Sequence, residues 1–133
     1  MYKKKYGQNF LVNQNVSKKI LFNEKITKRN ILEIGTGNLA LSKFIISNQP
    51  KKFLGVEVDR DLSDIYLKNE ISDKIIFEDA LKINERKFFN NENFSIISNL
   101  PFNISSELVI KWCKIQNSYN CIDSMVLMFQ KEL

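Results

Sequence analysis

Asn99, Leu100, Pro101 and Phe102 follow an apolar run, Phe94, Ile96 and Ile97, that has the pattern of a buried strand, so the four stand where that strand is expected to stop. Asn99 supplies a side-chain oxygen, and Leu100 a backbone carbonyl expected to be uncommitted to sheet pairing. Pro101 turns the chain and Phe102 offers a stacking face. Two acceptors beside an aromatic ring are the equipment for holding a planar heterocycle by an exocyclic amine.

Other polar and special residues follow apolar runs in the same way. Glu33, Gly35 and Gly37 come with and after Ile31-Leu32, Glu57 closes the run from Phe53, and Asp79 follows Ile75-Ile76-Phe77. Glycines allow a tight turn into a helix, and a carboxylate at the end of the second strand can take both hydroxyls of a ribose. The gap from Gly37 to Glu57 fits one helix plus one strand, the spacing at which a glycine turn and a ribose carboxylate serve one nucleoside. Nicotinamide dinucleotides and S-adenosylmethionine both meet that constraint. Asn38 and Leu39 stand where a pyrophosphate turn wants another glycine, so close approach of a pyrophosphate is expected to be obstructed. S-adenosylmethionine carries no phosphate and fits better. Each residue also has a purely structural reading: Gly35 and Gly37 as turn formers, Asp79 as a helix cap, Asn99 as a turn residue before proline.

The elements that must position these residues alternate between short apolar runs and amphipathic stretches, the pattern of an α/β protein. Asn13 or Asn15 can cap a helix through Val16, Ile20 and Leu21 that ends near Asn23. Strands are predicted over Ile31–Ile34, Phe53–Val58, Ile75–Phe77, the run ending in Asn99, and Ser124–Phe129. One helix carries Leu39, Leu41, Phe44 and Ile45 up to Pro50, and a second carries Leu62, Ile65, Tyr66 and Leu67. A third, capped by Ser105 or Ser106, contains Leu108, Val109, Trp112 and Ile115, while residues 82–93 are expected to form a loop or weak helical turn. This succession implies a mostly parallel sheet flanked by helices, with ligands at the carboxyl ends of the strands. The candidate residues fall at those ends.

A length of 133 residues accommodates one domain, expected over residues 1–133. The apolar runs fall far short of the roughly 20 residues of a membrane span. The basic N-terminus lacks the apolar region of a secretory signal, so the expected compartment is the cytoplasm, with no membrane partner. Histidine is absent, which removes Ser/His and Cys/His nucleophilic systems and the usual zinc ligands. Cys113 and Cys121 fit no redox or metal motif and are expected as reduced core or near-core thiols. No metal is expected. The net charge of +5 permits a nucleic-acid partner and equally fits a solvated surface.

The Asn99–Phe102 tetrapeptide resembles the NPPY/NLPY signature of the amino-methyltransferases, which methylate adenine or cytosine on the exocyclic nitrogen. The stretches YGQNFL (6–11), LEIGTGNLALS (32–42), GVEVDRDL (55–62), EDAL (78–81), NLPFNISS (99–106) and MFQKEL (128–133) together resemble the N-terminal part of the ribosomal RNA small-subunit adenine dimethyltransferases of the KsgA type. That resemblance implies a Rossmann-like S-adenosylmethionine-dependent methyltransferase fold, dimethylation of adenines in ribosomal RNA during ribosome biogenesis, and ribosomal RNA or its precursor particle as partner. It also implies site roles. Gln8, Asn9 and Leu11 cover the methionine moiety, Glu33, Gly35 and Gly37 line the cofactor turn, and Glu57 holds the ribose. Asp79 and Ala80 meet the cofactor adenine, and Asn99, Leu100, Pro101 and Phe102 receive the target base, with Asn99 bordering the cofactor as well.

Three positions depart from the family pattern: Thr36 replaces a usual proline, Leu39 a third small residue, and Phe102 the commoner tyrosine. The family plan continues beyond the point where this chain stops, through further strands and a C-terminal helical domain, so the chain is expected to be C-terminally truncated relative to it. Large-subunit methyltransferases of the macrolide-resistance type share the plan, but GQNFL, NLP and QKE lie closer to the small-subunit enzymes. A non-catalytic cofactor- or RNA-binding remnant and a dehydrogenase-like dinucleotide binder are the other readings.

Overall fold

A computed structural model describes residues 25–100 and 102–129, with the backbone but not the side chains of Phe102 and Phe129. Gln8, Asn9, Leu11, Pro101 and the helix expected before Asn23 lie outside the described residues.

Five apolar runs form strands: β1 (Asn30–Ile34), β2 (Lys52–Glu57), β3 (Ile75–Phe77), β4 (Phe94–Leu100) and β5 (Ile122–Phe129). Every pairing is parallel and the order is β3-β2-β1-β4-β5. The chain steps outward from β1 to β3 and then returns to place β4 on the other side of β1. The order therefore reverses between β1 and β4, the switch point where open α/β sheets form their crevice.

Side-chain alternation builds two packed faces. Ile31, Phe53 and Ile97 pack with Met128 against Leu41 and Ile45 of α1 (Ala40–Ser47). On the same face, Ile75 of β3 packs with Leu39, Ile71 and Tyr66, the last from α2 (Ser63–Lys68). Leu32, Ile34, Leu54, Val56, Phe94, Ile96 and Leu100 face the other way, where Leu108 and Trp112 of α4 (Phe102–Tyr119) cover them. A short helix, α3 (Glu85–Phe88), joins this layer, and Phe89 just beyond it stacks on Phe94 at 5.1 Å between centroids.

The sequence expectations hold for the strands within one or two residues. Three details differ. β4 runs to Leu100, paired with Phe129, so Leu100 belongs to the ladder and does not lie past its end. α4 already starts at Phe102, which puts both Ser105 and Ser106 inside the helix and not at its cap, Ser105 as a small buried residue. The Ile104, Leu108 and Trp112 spacing sets that early start. Cys121 is buried, but Cys113 is exposed, because one residue's rotation from Trp112 carries it off the packed stripe of α4.

Candidate functional site at the carboxyl edge of the sheet

The turn after β1 is built by two glycines and fastened by a tyrosine. Gly35 and Gly37 take φ of 76° and 48°, in the left-handed region where glycine avoids a Cβ clash. Gly35 N donates to Val56 O at 2.7 Å, which holds the turn to the end of β2. Tyr66, fully buried on α2, donates from its hydroxyl to Gly37 O at 2.9 Å, and its oxygen lies 2.8 Å from Thr36 Oγ1. One hydroxyl hydrogen cannot serve both, so Thr36 is the donor in the second bond. Burial, outweighing the Thr36 bond, pushes the Tyr66 hydroxyl up to about 12, so it stays protonated and keeps donating.

Leu39, expected to obstruct the turn, does not point into it. Its backbone is left-handed (φ 72°), and its side chain is wholly buried with Tyr66, Ile71 and Ile75. The first turn of α1 is satisfied locally, since Asn38 Oδ1 accepts from Ala40 N at 3.1 Å. A Cβ built on Gly37 would meet nothing within 4 Å, so open space lies beside the turn.

Glu57 ends β2 and gathers three backbone donors. Oε1 accepts from Gly37 N at 2.8 Å, and Oε2 accepts from Val58 N and Asp59 N, each at 3.0 Å. A carboxylate has about four acceptor positions, so one on Oε1 remains for a ligand hydroxyl. Taking two hydroxyls requires one of the three amides to let go. Val58, predicted from apolar periodicity to lie inside the strand, follows its end and is 73% exposed, an apolar surface next to the carboxylate.

Glu33 is 1% exposed, on the α1 face, with Ser42 Oγ donating to its Oε1 at 2.5 Å. Burial pushes its carboxyl up to about 8, against the pull of the Ser42 bond and with a further push from Glu57. Asp79, half-buried after β3, folds a turn about itself: Oδ1 accepts from Leu81 N at 3.0 Å, and its carbonyl accepts from Lys82 N at 2.9 Å. Its Oδ2 carries no bond among the described residues. Ala80 is buried in the core, with its carbonyl bound to Lys111 Nζ at 2.7 Å.

Asn99 shares the edge with these groups. Glu57 pairs with Phe77 and Asn99 with Met128, and carrying the β1 registers forward brings Gly35 level with both Glu57 and Asn99. Glu33, Glu57 and Asn99 occupy the same sheet face by alternation. Ser98, on the opposite face, donates to Ile34 O at 2.6 Å and ties β4 to the end of β1. The structure thus brings Gly35, Gly37, Glu57 and Asn99 to one edge and sets Asp79 beside them, where Glu78 N donates to Glu57 O at 3.0 Å. Phe102 begins α4. No group of three or more metal-ligating side chains occurs among the described residues, and none of their helices is long and apolar enough to cross a membrane.

A carboxylate, an open glycine turn and an amide along one parallel edge suit a nucleoside and a second planar group. The sequence profile described as ribosomal RNA adenine dimethylase matches residues 1–133, the whole chain. The chain belongs to that family. Relatives within it include the ribosomal RNA small subunit methyltransferase A of Pelagibacter ubique, 43% identical over 98% of this chain and 50% of its own. The protein of the same name from Mycoplasmopsis pulmonis is 37% identical, again over 98% of this chain and 50% of its own. The chain spans about half the length of the curated relatives it matches. Among solved structures, a dimethyladenosine transferase from Plasmodium falciparum superposes with a TM-score of 0.62 at 26% identity, covering 89% of this chain and 42% of the other. The 23S rRNA methyltransferase ErmE superposes at 0.60 with 19% identity over 86% of this chain and 46% of its own, a likeness of fold. Family membership and this fold leave the dehydrogenase-like reading without support. They also agree with the Rossmann-like methyltransferase architecture expected from the sequence.

Proposed function

We propose that this chain carries the cofactor- and base-binding half of an S-adenosylmethionine-dependent enzyme that methylates the exocyclic amine of adenines in small-subunit ribosomal RNA. The observation that carries the proposal is the placement of Glu57, the open Gly37 turn and Asn99 along one edge of one sheet face. In this reading Glu57 takes a ribose hydroxyl on the free position of Oε1 and exchanges an amide for the second. Val58 lies under the cofactor's adenine, and Asp79 Oδ2 accepts from that base's amine. Gln8, Asn9, Leu11, Glu33, Gly35 and Ala80 complete the cofactor site by family resemblance. Bound there, S-adenosylmethionine supplies an already activated methyl group, so no protein acid or base has to create the electrophile.

The residues of this chain then act on the target amine. Adenine's exocyclic nitrogen is a poor nucleophile because its lone pair is delocalised into the ring. Asn99 Oδ1 accepts from one N–H of the amine, and the carbonyl of Leu100, the last residue of β4, accepts from the other on a lone pair that ladder pairing leaves over, favouring a pyramidal nitrogen whose lone pair is localised. By family resemblance Pro101 and Phe102 receive the base; stacking on the Phe102 ring at about 1–3 kcal/mol offsets part of the cost of extracting the base from its helix. Positioning supplies most of the remaining catalysis.

The test is methyl transfer from labelled S-adenosylmethionine to unmethylated small-subunit ribosomal RNA, with the product nucleosides resolved by mass spectrometry. Dimethyladenine is expected, lost with Asn99→Ala by far more than cofactor affinity falls, since Asn99 only borders the cofactor, and Phe102→Ala is expected to cost more than Phe102→Tyr. Equal activity of the two Phe102 variants, or full activity of Asn99→Ala, contradicts the assigned roles.

A further inference from the structure

On the sheet face covered by α4, one ammonium group with all three hydrogens engaged ties that helix to the loop after β3. Lys111 Nζ lies 2.7 Å from Ala80 O, 2.9 Å from Ile83 O and 2.9 Å from Glu85 Oε2. An ammonium has three donors and no acceptor, so the group is fully satisfied. Trp112 Nε1 donates to the same Glu85 oxygen at 3.1 Å. Glu85 is 1% exposed and Trp112 fully buried, so the carboxylate is held away from water by this network. An isolated buried ion pair is a weak source of stability, because desolvation cancels much of the attraction. What this one does supply is a fixed geometry.

The geometry it fixes is that of Asp79. The loop turns about the Asp79 carboxylate, and the next two anchoring points along it, Ala80 O and Ile83 O, both end on Lys111. Lys111 itself stands about two and a half turns into α4, the helix that starts directly beyond the Asn99–Leu100 strand end. One side chain thus couples the cofactor side of the edge to the helix carrying the target-base segment.

We propose that Lys111 is a positioning residue for the adenine end of the cofactor site: by pinning the 80–85 loop to α4 it aims Asp79 at the base and sets how strictly the site demands an exocyclic amine. This rests on the reading of Asp79 given above. Lys111 touches no reacting atom in this scheme; it acts through the loop.

Lys111→Met alone would strand Glu85 as an unpaired buried carboxylate, so the variant to use is Lys111→Met with Glu85→Gln, whose side-chain oxygen still accepts from Trp112. The probes are S-adenosylhomocysteine and S-inosylhomocysteine, which carries a carbonyl where adenine has its amine. A charge-assisted bond to Asp79 predicts that the full chain prefers the adenosyl ligand by about 10-fold or more. The double variant is expected to bring that preference to within about 3-fold, with faster amide exchange at Leu81 and Lys82, while unfolding stays cooperative. An unchanged preference in the folded variant overturns the inference and leaves the proposed function standing. No binding of S-adenosylhomocysteine by the unmodified chain overturns both, and equal binding of the two ligands by that chain overturns the role of Asp79 and the inference with it. Should the double variant unfold, Lys111→Gln, whose NH2 group keeps two of the three donors in a similar space, is judged on the same ratio.

Discussion

The amide of Gly37 donates to Glu57 Oε1 at 2.8 Å, joining two residues 20 apart in the chain into one unit. The glycine turn after β1 and the carboxylate at the end of β2 are therefore held together, and the same carboxylate also organises the first residues beyond β2 through Val58 N and Asp59 N.

Glu57→Gln keeps the shape but puts an NH2 group where an acceptor stood, facing at least one of three backbone donors. Hydrogen bonds to a charged group are worth about 1.5–3 kcal/mol, so S-adenosylmethionine affinity is expected to fall by about 10- to 100-fold, measured by calorimetry. Unchanged affinity removes Glu57 from the site.

Tyr66→Phe removes the donor to Gly37 O and the acceptor for Thr36 Oγ1, leaving buried polar groups unpaired. A loss of about 1–3 kcal/mol in urea unfolding is expected, together with weaker cofactor binding, because the turn loses its fastening. Stability falling with affinity intact would make Tyr66 a core residue only.

Gly55 lies under the turn, and a Cβ there would come within 2.6 Å of Thr36 Cγ2 and 3.0 Å of Ile75 Cγ1. Gly55→Ala should therefore cost about 1–3 kcal/mol. Adding Thr36→Ser removes the Cγ2 methyl and keeps the hydroxyl for Tyr66, so the double variant should recover part of the loss; no recovery would place the strain elsewhere.

Glu33 ties folding to proton uptake. Its carboxyl rises from 4.5 to about 8 on burial, so the folded state binds the proton more tightly. Its contribution is full below pH 4.5 and is lost as pH rises through about 8, with a slope of up to about 1.4 kcal/mol per pH unit. The chain contains no histidine to mask that window. Urea unfolding from pH 5 to 8 should show stability falling, and Glu33→Gln should flatten the slope; an identical slope would mean the carboxyl stays ionised.

The strands were legible because each is a short apolar run, and the edge was legible because parallel topology sends Glu33, Glu57, Asp79 and Asn99 to the same ends. Tyr66 was not, since its partners lie 29 and 30 residues away and its place in a helical apolar stripe looks like ordinary core. Lys111 was equally hidden: a lysine between Ile110 and Trp112 reads as solvated until the loop it grips is in place. Leu39 misled in the other direction. Its size suggested obstruction, but the left-handed backbone turns the side chain into the core.

Whether the carboxyl edge holds S-adenosylmethionine is decided by calorimetric titration of the chain with that ligand, with NAD as control. Saturable one-to-one binding, competed by S-adenosylhomocysteine and lost with Glu57→Ala, is the predicted result. No saturable heat from a cooperatively folded chain, or binding of NAD in its place, would mean that this edge is not an S-adenosylmethionine site.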